Sequence, residues 1–275
     1  MGSTQQALLG RQAASGGGTD ADATAWRDEV VTDGGTVSGG RLTLVSDYLT
    51  TLKSSPGFST VFDHLNLYAA ENAISAREDI KRLVLVTPVG TPTFTTDRSY
   101  TGSASAYLNT LLQPDGTGNY TQNSAHFSFW LRNNKAAENA VEMGSSTAAF
   151  TAGCSISLKW ADDGNCYVAL NDGNSYGGRA GMVDTSGHWI ISRTASNLVT
   201  IYRNGVSVFT TTIASTGLPI YNYTVNGAFD SQSSGAFNFG STGQYAMSSI
   251  GRGLTGAEAL AFYNATQTYM TAVGA

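Results

Sequence analysis

Hydrophobic positions along this chain change their period once, near residue 90, and that change organises everything else. Between Asp20 and about Arg82 the spacing is helical. Ala23 to Thr32 carries Trp26, Val30 and Val31, Gly34-Gly35 interrupts it, and Ser38 can cap a second helix with Leu42, Val45, Leu49 and Leu52 on one face. Pro56-Gly57 closes that segment. Phe58, Val61, Phe62, Leu65, Leu67 and Tyr68 follow as a dense apolar patch, and Ser75-Ala-Arg-Glu78 has the spacing of a capping box that would open a short third helix. Residues 20–88 are therefore expected to form a small helical subdomain with its own core, seated on the part that follows.

Pro88 and Pro92 mark the exit, and from about Thr93 the alternation is that of strands. Strands are expected at Thr93 to Asp97, Ala106 to Leu111, His126 to Arg132, Ala140 to Gly144, Ser155 to Trp160, Tyr167 to Asn171, Gly187 to Thr194, Tyr221 to Asn226 and Gln244 to Ile250. The strongest local signal is Asn204-Gly205 between Leu198-Val-Thr-Ile-Tyr-Arg203 and Val206-Ser-Val-Phe-Thr-Thr-Thr212, because both central residues of a type I′ turn need positive φ. Counting back from the turn pairs Arg203 with Val206, Ile201 with Val208 and Val199 with Thr210, while Tyr202, Thr200 and Leu198 face Ser207, Phe209 and Thr211. Apolar residues fall on both faces of this ribbon, which places it inside a sandwich. The fold class is mainly β: a two-sheet antiparallel jelly-roll sandwich over residues 89–275, with a small N-terminal helical subdomain. A C-terminal helix closes it. Thr255-Gly-Ala-Glu258 makes its capping box, Leu260, Phe262, Tyr263, Tyr269 and Met270 its apolar faces, and Gly274 sits where a terminal glycine belongs.

Residues 1–19 stand apart, with Leu8-Leu9 as their sizeable apolar group and Ser15-Gly-Gly-Gly18 as a flexible joint. They read either as a tether that orders on a neighbouring protein, anchored by Leu8 and Leu9, or as a frayed terminus. Composition narrows the function classes. Charged residues are 13% of the chain and glycines number 32, which suits a turn-rich, hydrogen-bonded β protein. The net charge is −5 and lysine occurs only at Lys53, Lys81, Lys135 and Lys159, so no basic stripe exists to neutralise a nucleic-acid backbone. Apolar runs are too short to insert in a membrane, and the start lacks the pattern of a signal peptide. A protein made in the cytoplasm with the composition of an extracellular adhesive domain fits a phage particle, whose components work outside after lysis.

Two blocks resemble the concanavalin A-like, laminin G-like jelly rolls: the hairpin Leu198 to Val208, and Ser249-Ile-Gly-Arg-Gly-Leu-Thr-Gly-Ala-Glu-Ala-Leu-Ala-Phe-Tyr263 as a last strand followed by a threonine-capped helix. A narrower resemblance runs through Ala25-Trp-Arg-Asp28, Gly34-Gly-Thr-Val-Ser38, Leu67-Tyr-Ala-Ala-Glu-Asn-Ala73, Phe94-Thr-Thr-Asp-Arg-Ser-Tyr-Thr-Gly102, Tyr120-Thr-Gln-Asn-Ser-Ala-His126 and the terminal helix. This order is similar to a group of virion-associated proteins of tailed bacteriophages and prophages. The resemblance implies a fibre, spike or decoration component that attaches to other virion proteins through its N-terminal part and offers the jelly roll to a host-surface glycan. A homotrimer would suit a fibre or spike, although no coiled-coil heptad marks one.

Catalysis finds little footing. Concanavalin-like glucanases resemble one another in a Glu-x-Asp-x-Glu or Glu-x-Asp-x-x-Glu strand, and the glutamates here, at 29, 71, 78, 138, 142 and 258, form neither pattern. No Gly-x-Ser-x-Gly elbow accompanies His64, His126 and His188, which read as satisfied structural residues. A non-catalytic role is the expectation, with a ligand-free decoration protein as one alternative and a polysaccharide-degrading hydrolase as another. No cofactor is implied. Calcium could find hard oxygens in Asp162-Asp-Gly-Asn165 and Asn171-Asp-Gly-Asn174, but β-turns demand the same residues. Cys154 and Cys166 flank the first of these turns; pairing Asp162 with Asn165 puts Cys166 opposite Ala161 and Cys154 near Gly173, so two free thiols are expected. For glycan binding, aromatic rings and hydrogen-bonding side chains converge in Asp172, Asn174, Tyr176 and Arg179 of one expected loop, and in Tyr221 and Tyr223 of another.

Overall fold

The computed structural model describes residues 18–147, 151–173, 182–230 and 236–275, with the backbone alone at 228–230 and 236–238. The anchor expected at Leu8 and Leu9 lies outside the described residues. Helices come first: α1 (Ala21–Thr32), α2 (Gly39–Ser54) and the single turn α3 (Phe58–Val61), which runs straight into strand β1 (Phe62–Leu67) before α4 (Ala73–Arg77). Short strands follow, β2 (Thr87–Val89), β3 (Thr93–Thr95), β4 (Ser99–Thr101) and β5 (Tyr107–Asn109). Then come β6 (Ala125–Leu131), β7 (Met143–Ser146), β8 (Gly153–Ser157), β9 (Tyr167–Asp172), β10 (Gly187–Ala195), β11 (Leu198–Arg203) and β12 (Val206–Thr211). The chain ends with β13 (Thr224–Val225), β14 (Ala228–Asp230), β15 (Ala236–Asn238), β16 (Gln244–Gly251) and α5 (Gly256–Val273).

Two antiparallel sheets form the sandwich. The larger runs β12-β11-β10-β6-β16-β4-β3, with β1 also on β16; the smaller runs β2-β5-β13-β7-β8-β9. On the side of β16 away from β6, Gln244 and Tyr245 pair with β4, while Met247 to Gly251 pair with β1. All seven residues of β6 are buried because both of its faces are covered. Ala125, Phe127, Phe129 and Leu131 point between the sheets, where Trp189, Ile191, Val199, Ile201, Met143, Ile156 and Leu170 meet them. Trp130, Ile190, Tyr202 and Met247 point the other way into a second core, built with Trp26, Val30, Leu49, Leu52, Phe262 and Met270 of the helices. The helices thus cap the outer face of the large sheet. Thr255 and Glu258 form the capping box of α5, and Gly274 ends it in the left-handed conformation at φ 73°.

Several expectations need correction. The apolar patch at Phe62 to Leu67 is a strand of the large sheet, so the stretch 20–88 shares that sheet, and shares a core with α5. Its alternation is hidden because both faces are buried. The box expected at Ser75 and Glu78 opens no helix: Asn72 caps α4, Ser75 is its reciprocal partner, and Glu78 stands at the C-terminal end. Asn204-Gly205 makes the expected turn, with φ of 52° and 75°. The register holds for Arg203 with Val206 and Tyr202 with Ser207, then slips by one, so that Ile201 faces Phe209 and Val199 faces Thr211. A bulge there lets both Val208 and Phe209 pack on the core between the sheets, which strict alternation would forbid. Likewise Ser157 pairs with Tyr167 across a longer connection than a two-residue turn, which sets Cys154 opposite Leu170. Both cysteines are buried, and neither is in a disulfide.

Candidate functional site

Two buried side chains gather the loops at one end of the sandwich. Asn171, at φ 60°, ends the regular part of β9. Its amide donates to the carbonyls of Thr121 at 3.2 Å and Gln122 at 3.0 Å, its Oδ1 accepts from the Tyr120 hydroxyl at 2.6 Å, and its own carbonyl accepts from the Thr216 backbone at 2.7 Å. Arg193 of β10 lies fully buried and spends its donors on backbone: Nε on Leu170 O at 2.8 Å, Nη1 on Ser196 O at 2.7 Å and Ile213 O at 2.9 Å. Its Nη2 reaches Asp172 Oδ2 at 3.2 Å. A guanidinium carries five donors in a fixed fork, so one side chain can hold the end of β9 and two loops in register.

The result is a polar rim. Thr216 Oγ1 donates to Thr151 O at 2.5 Å, the Ile220 amide to Ser146 O at 3.1 Å, and Ser145 Oγ to Tyr221 O at 2.5 Å. Farther out, Ser215 Oγ donates to Asn123 Oδ1 at 2.6 Å and accepts from Gln122 Nε2 at 3.3 Å. Ile220 is 48% exposed and Tyr221 half-buried beside it. Small hydroxyls, amides and one phenol therefore converge on a surface fixed from beneath.

The sequence-derived residues separate here. Tyr221 stands on the rim. Tyr223 does not: it is fully buried between the sheets, its hydroxyl 2.9 Å from that of Tyr120, and burial, with Cys154 and Tyr120 adding to it, pushes its phenol well above the ordinary range. Two residues along a strand share a face, but the chain from 221 to 223 is still turning as it enters β13, and that parity fails. Asp172 is also buried, as the counter-ion of Arg193; burial pushes its carboxyl up against the Leu170 amide and Arg193, which pull it down. It holds the rim from below rather than lining it. Asn174, Tyr176 and Arg179 lie outside the described residues.

Three buried polar arrays were not anticipated. Asp79 Oδ2 lies 2.7 Å from His64 Nδ1, and His64 Nε2 lies 2.9 Å from Ser248 Oγ, the order of groups in a hydrolytic triad. All three are fully buried and the Tyr68 hydroxyl sits 2.6 Å from Ser248 Oγ, so the array ties β1 to β16 with no face open to a substrate. Burial pushes the Asp79 carboxyl up, but His64 and Arg82 outweigh it and hold it at about 2. On the helix side of the sheet, His126 Nε2 lies 3.0 Å from Ser249 Oγ, Ser249 Oγ 2.7 Å from Ser128 Oγ, and Ser128 Oγ 3.4 Å from His188 Nε2. Both ring nitrogens of His64 and His126 are engaged, as expected of structural histidines, whereas His188 Nδ1 has no hydrogen-bond partner. The third array joins buried Lys135 to Glu142 at 2.6 Å, with Glu138 and Ser241 on the same ammonium and the Tyr245 hydroxyl donating to Glu142 at 2.6 Å. These sets draw on positions up to 184 residues apart, which no local spacing reveals. Among the described residues no three His, Cys, Asp or Glu side chains are placed to hold a metal ion.

No protein-family profile matches the sequence, and no curated protein sequence matches it. Solved structures do match in fold. The sialidase of Trypanosoma rangeli, in complex with 2,3-difluorosialic acid as a covalent intermediate, aligns over 84% of this chain and 40% of its own, with a TM-score of 0.51 and 13% identity. A mutant of that sialidase displaying trans-sialidase activity gives 0.50 with the same identity and coverage. Domain 4 of AbnA, an extracellular family 43 arabinanase from Geobacillus stearothermophilus in complex with arabinotriose, aligns over 74% of this chain and 98% of its own, at 0.49 and 12%. The chain spans about two fifths of the sialidase chains. At these identities the likeness concerns the fold, and it is a β-sandwich.

Proposed function

We propose that this protein is a non-catalytic virion component of a tailed bacteriophage, a fibre, spike or decoration protein whose sandwich contacts a host-surface glycan while its N-terminal segment attaches to the particle. The observation that carries the contact role is the rim around Thr151, Ser215, Thr216, Ile220 and Tyr221, where hydroxyls, an apolar side chain and a phenol share one surface held by Arg193 and Asn171. Such a surface matches a sugar, whose hydroxyls need many modest hydrogen bonds and whose C–H face needs a ring to rest on. The virion assignment rests on the sequence resemblance. A homotrimer is the assembly we favour for a fibre or spike.

The test has two arms. The full chain is measured for binding to lipopolysaccharide and capsule, alone and as Tyr221→Ala; the reading requires saturable binding that falls at least about tenfold in the variant, near 1.4 kcal/mol. Gold-labelled antibody on purified particles must decorate a constant position. Absence of binding to either polysaccharide would sink the contact role, and unlabelled particles the virion assignment.

A further inference from the structure

We infer that Trp160, Tyr167 and Phe239, at the far end of the β8–β9 hairpin from the rim, form a second binding platform that takes the pyranose rings of a neutral oligosaccharide. The inference deepens the glycan-contact reading and rests on it.

The three rings form one cluster at the surface. Trp160 lies 6.2 Å from Tyr167 at 78° and 5.7 Å from Phe239 at 52°, centroid to centroid. Trp26, Trp130 and Trp189 are buried in the two cores; of the four tryptophans Trp160 alone is not buried. Phe239 is 40% exposed and has φ of 59°, a left-handed conformation rare for a bulky residue. Its carbonyl accepts from the Val141 amide at 2.8 Å, which fixes the backbone there. A large apolar ring kept half in water on a strained backbone costs stability twice, and such costs gather where a side chain is aimed at a ligand.

The surrounding turn is built to hold the indole still. Trp160 donates from its amide to Asn165 O at 2.9 Å, accepts from Gly164 N at 2.8 Å, and directs its ring N–H to Asp162 Oδ2 at 3.3 Å. Asp163 accepts from the Tyr167 hydroxyl at 2.5 Å and from both amides of Asn165, at 2.9 Å and 2.7 Å. The exposed Asn139 receives the Ala161 amide at 3.1 Å. Rings with a fixed tilt thus stand beside exposed Asp162 and Asn139, the arrangement that sugar C–H faces and hydroxyls require. Charge selects the sugar. Asp162 and Asp163 outweigh Lys159 at this end, so a uronic or sialic acid would meet repulsion while a neutral hexose would not.

The half-buried indole is its own reporter. The full chain is titrated with hexasaccharides of glucose, galactose and mannose, and with polygalacturonate as the acidic control, while tryptophan fluorescence and calorimetric binding are followed. The expected result is a saturable fluorescence change with at least one neutral hexasaccharide, absent in Trp160→Ala and weakened about tenfold in Phe239→Ala. Should Trp160→Ala fail to fold, Phe239→Ala decides alone. No response to any neutral hexasaccharide, a response only to polygalacturonate, or one indifferent to Phe239→Ala overturns the platform. If polysaccharide still binds through Tyr221 in that event, the platform falls by itself; if Trp160 responds while polysaccharide binding and particle labelling both fail, the proposed function falls by itself.

Discussion

Among the described residues Glu78 is the buried carboxyl that faces no cation. Four carboxylates are buried among the described residues, and three face a cation: Asp79 faces Arg82, Glu142 faces Lys135 and Asp172 faces Arg193. Glu78 instead has Asp33, Glu29 and Asp79 near it; burial, with these charges adding, pushes its carboxyl up to about 8. A carboxyl whose folded value lies above its unfolded one contributes stability below about pH 4.5, and that contribution is lost as pH rises through 8. Glu78→Gln should therefore raise stability at pH 8 by on the order of 1–3 kcal/mol and flatten its pH dependence between 5 and 8, as read by urea unfolding. An unchanged or lowered midpoint at pH 8 would contradict this. Residue roles were only partly legible. Tyr221 could be placed at the surface from its loop, but the burial of Tyr223 and Asp172 follows from where their strands dock, and that is a tertiary fact. Asp79, His64 and Ser248 were invisible together for the same reason.

Elements with chemical start and stop signals were read well. Ser38 and Thr255 cap α2 and α5 as their positions imply, because a side-chain oxygen satisfies an amide that the first helical turn leaves orphaned. Thr255→Ala should cost about 1 kcal/mol of stability, since Thr255 Oγ1 accepts from the Glu258 amide and the Glu258 carboxylate returns the bond. Phe262→Ala should cost about 3–5 kcal/mol, because this fully buried ring packs 4.9 Å from Phe62 and 4.8 Å from His188. Thermal or urea unfolding of the two variants checks the ranking, and a larger loss for Thr255→Ala would refute it. Elements whose identity depends on a partner were read poorly. Phe62–Leu67 and Ala125–Leu131 are both doubly covered, yet only the second was recognised, because β-rich neighbours framed it while the first followed helices. The bulge at Val208 was hidden because turn counting assumes one residue opposite one.

At the scale of the whole molecule, two cores share the large sheet, and two neutral histidines lie in the one beneath the helices. Burial pushes His126 down to about 4, with Arg252 and its carbonyl acting in opposite senses, and burial with His126 pushes His188 down to about 3. The unfolded chain takes up these protons near pH 6.5 and the folded one does not, so stability is full above that value and falls as pH drops toward 3. At about 1.4 kcal/mol per pH unit for each group, several kcal/mol should vanish between pH 6.5 and 4. Because Glu78 acts in the opposite sense over part of this range, urea unfolding of Glu78→Gln at pH 7, 5 and 4 measures the histidine contribution, and a flat profile in that variant would contradict it. Release of α5 from the sheet is the expected first event, since Phe262 covers both rings.

The role proposed for this sandwich is contact with a host-surface glycan without bond-breaking. The direct measurement is to incubate the protein with purified lipopolysaccharide and capsule, then follow retention on the immobilised protein and chain length together. Retention with every chain at its original length is the predicted result; shortened chains with new reducing ends, or no retention at all, would contradict it.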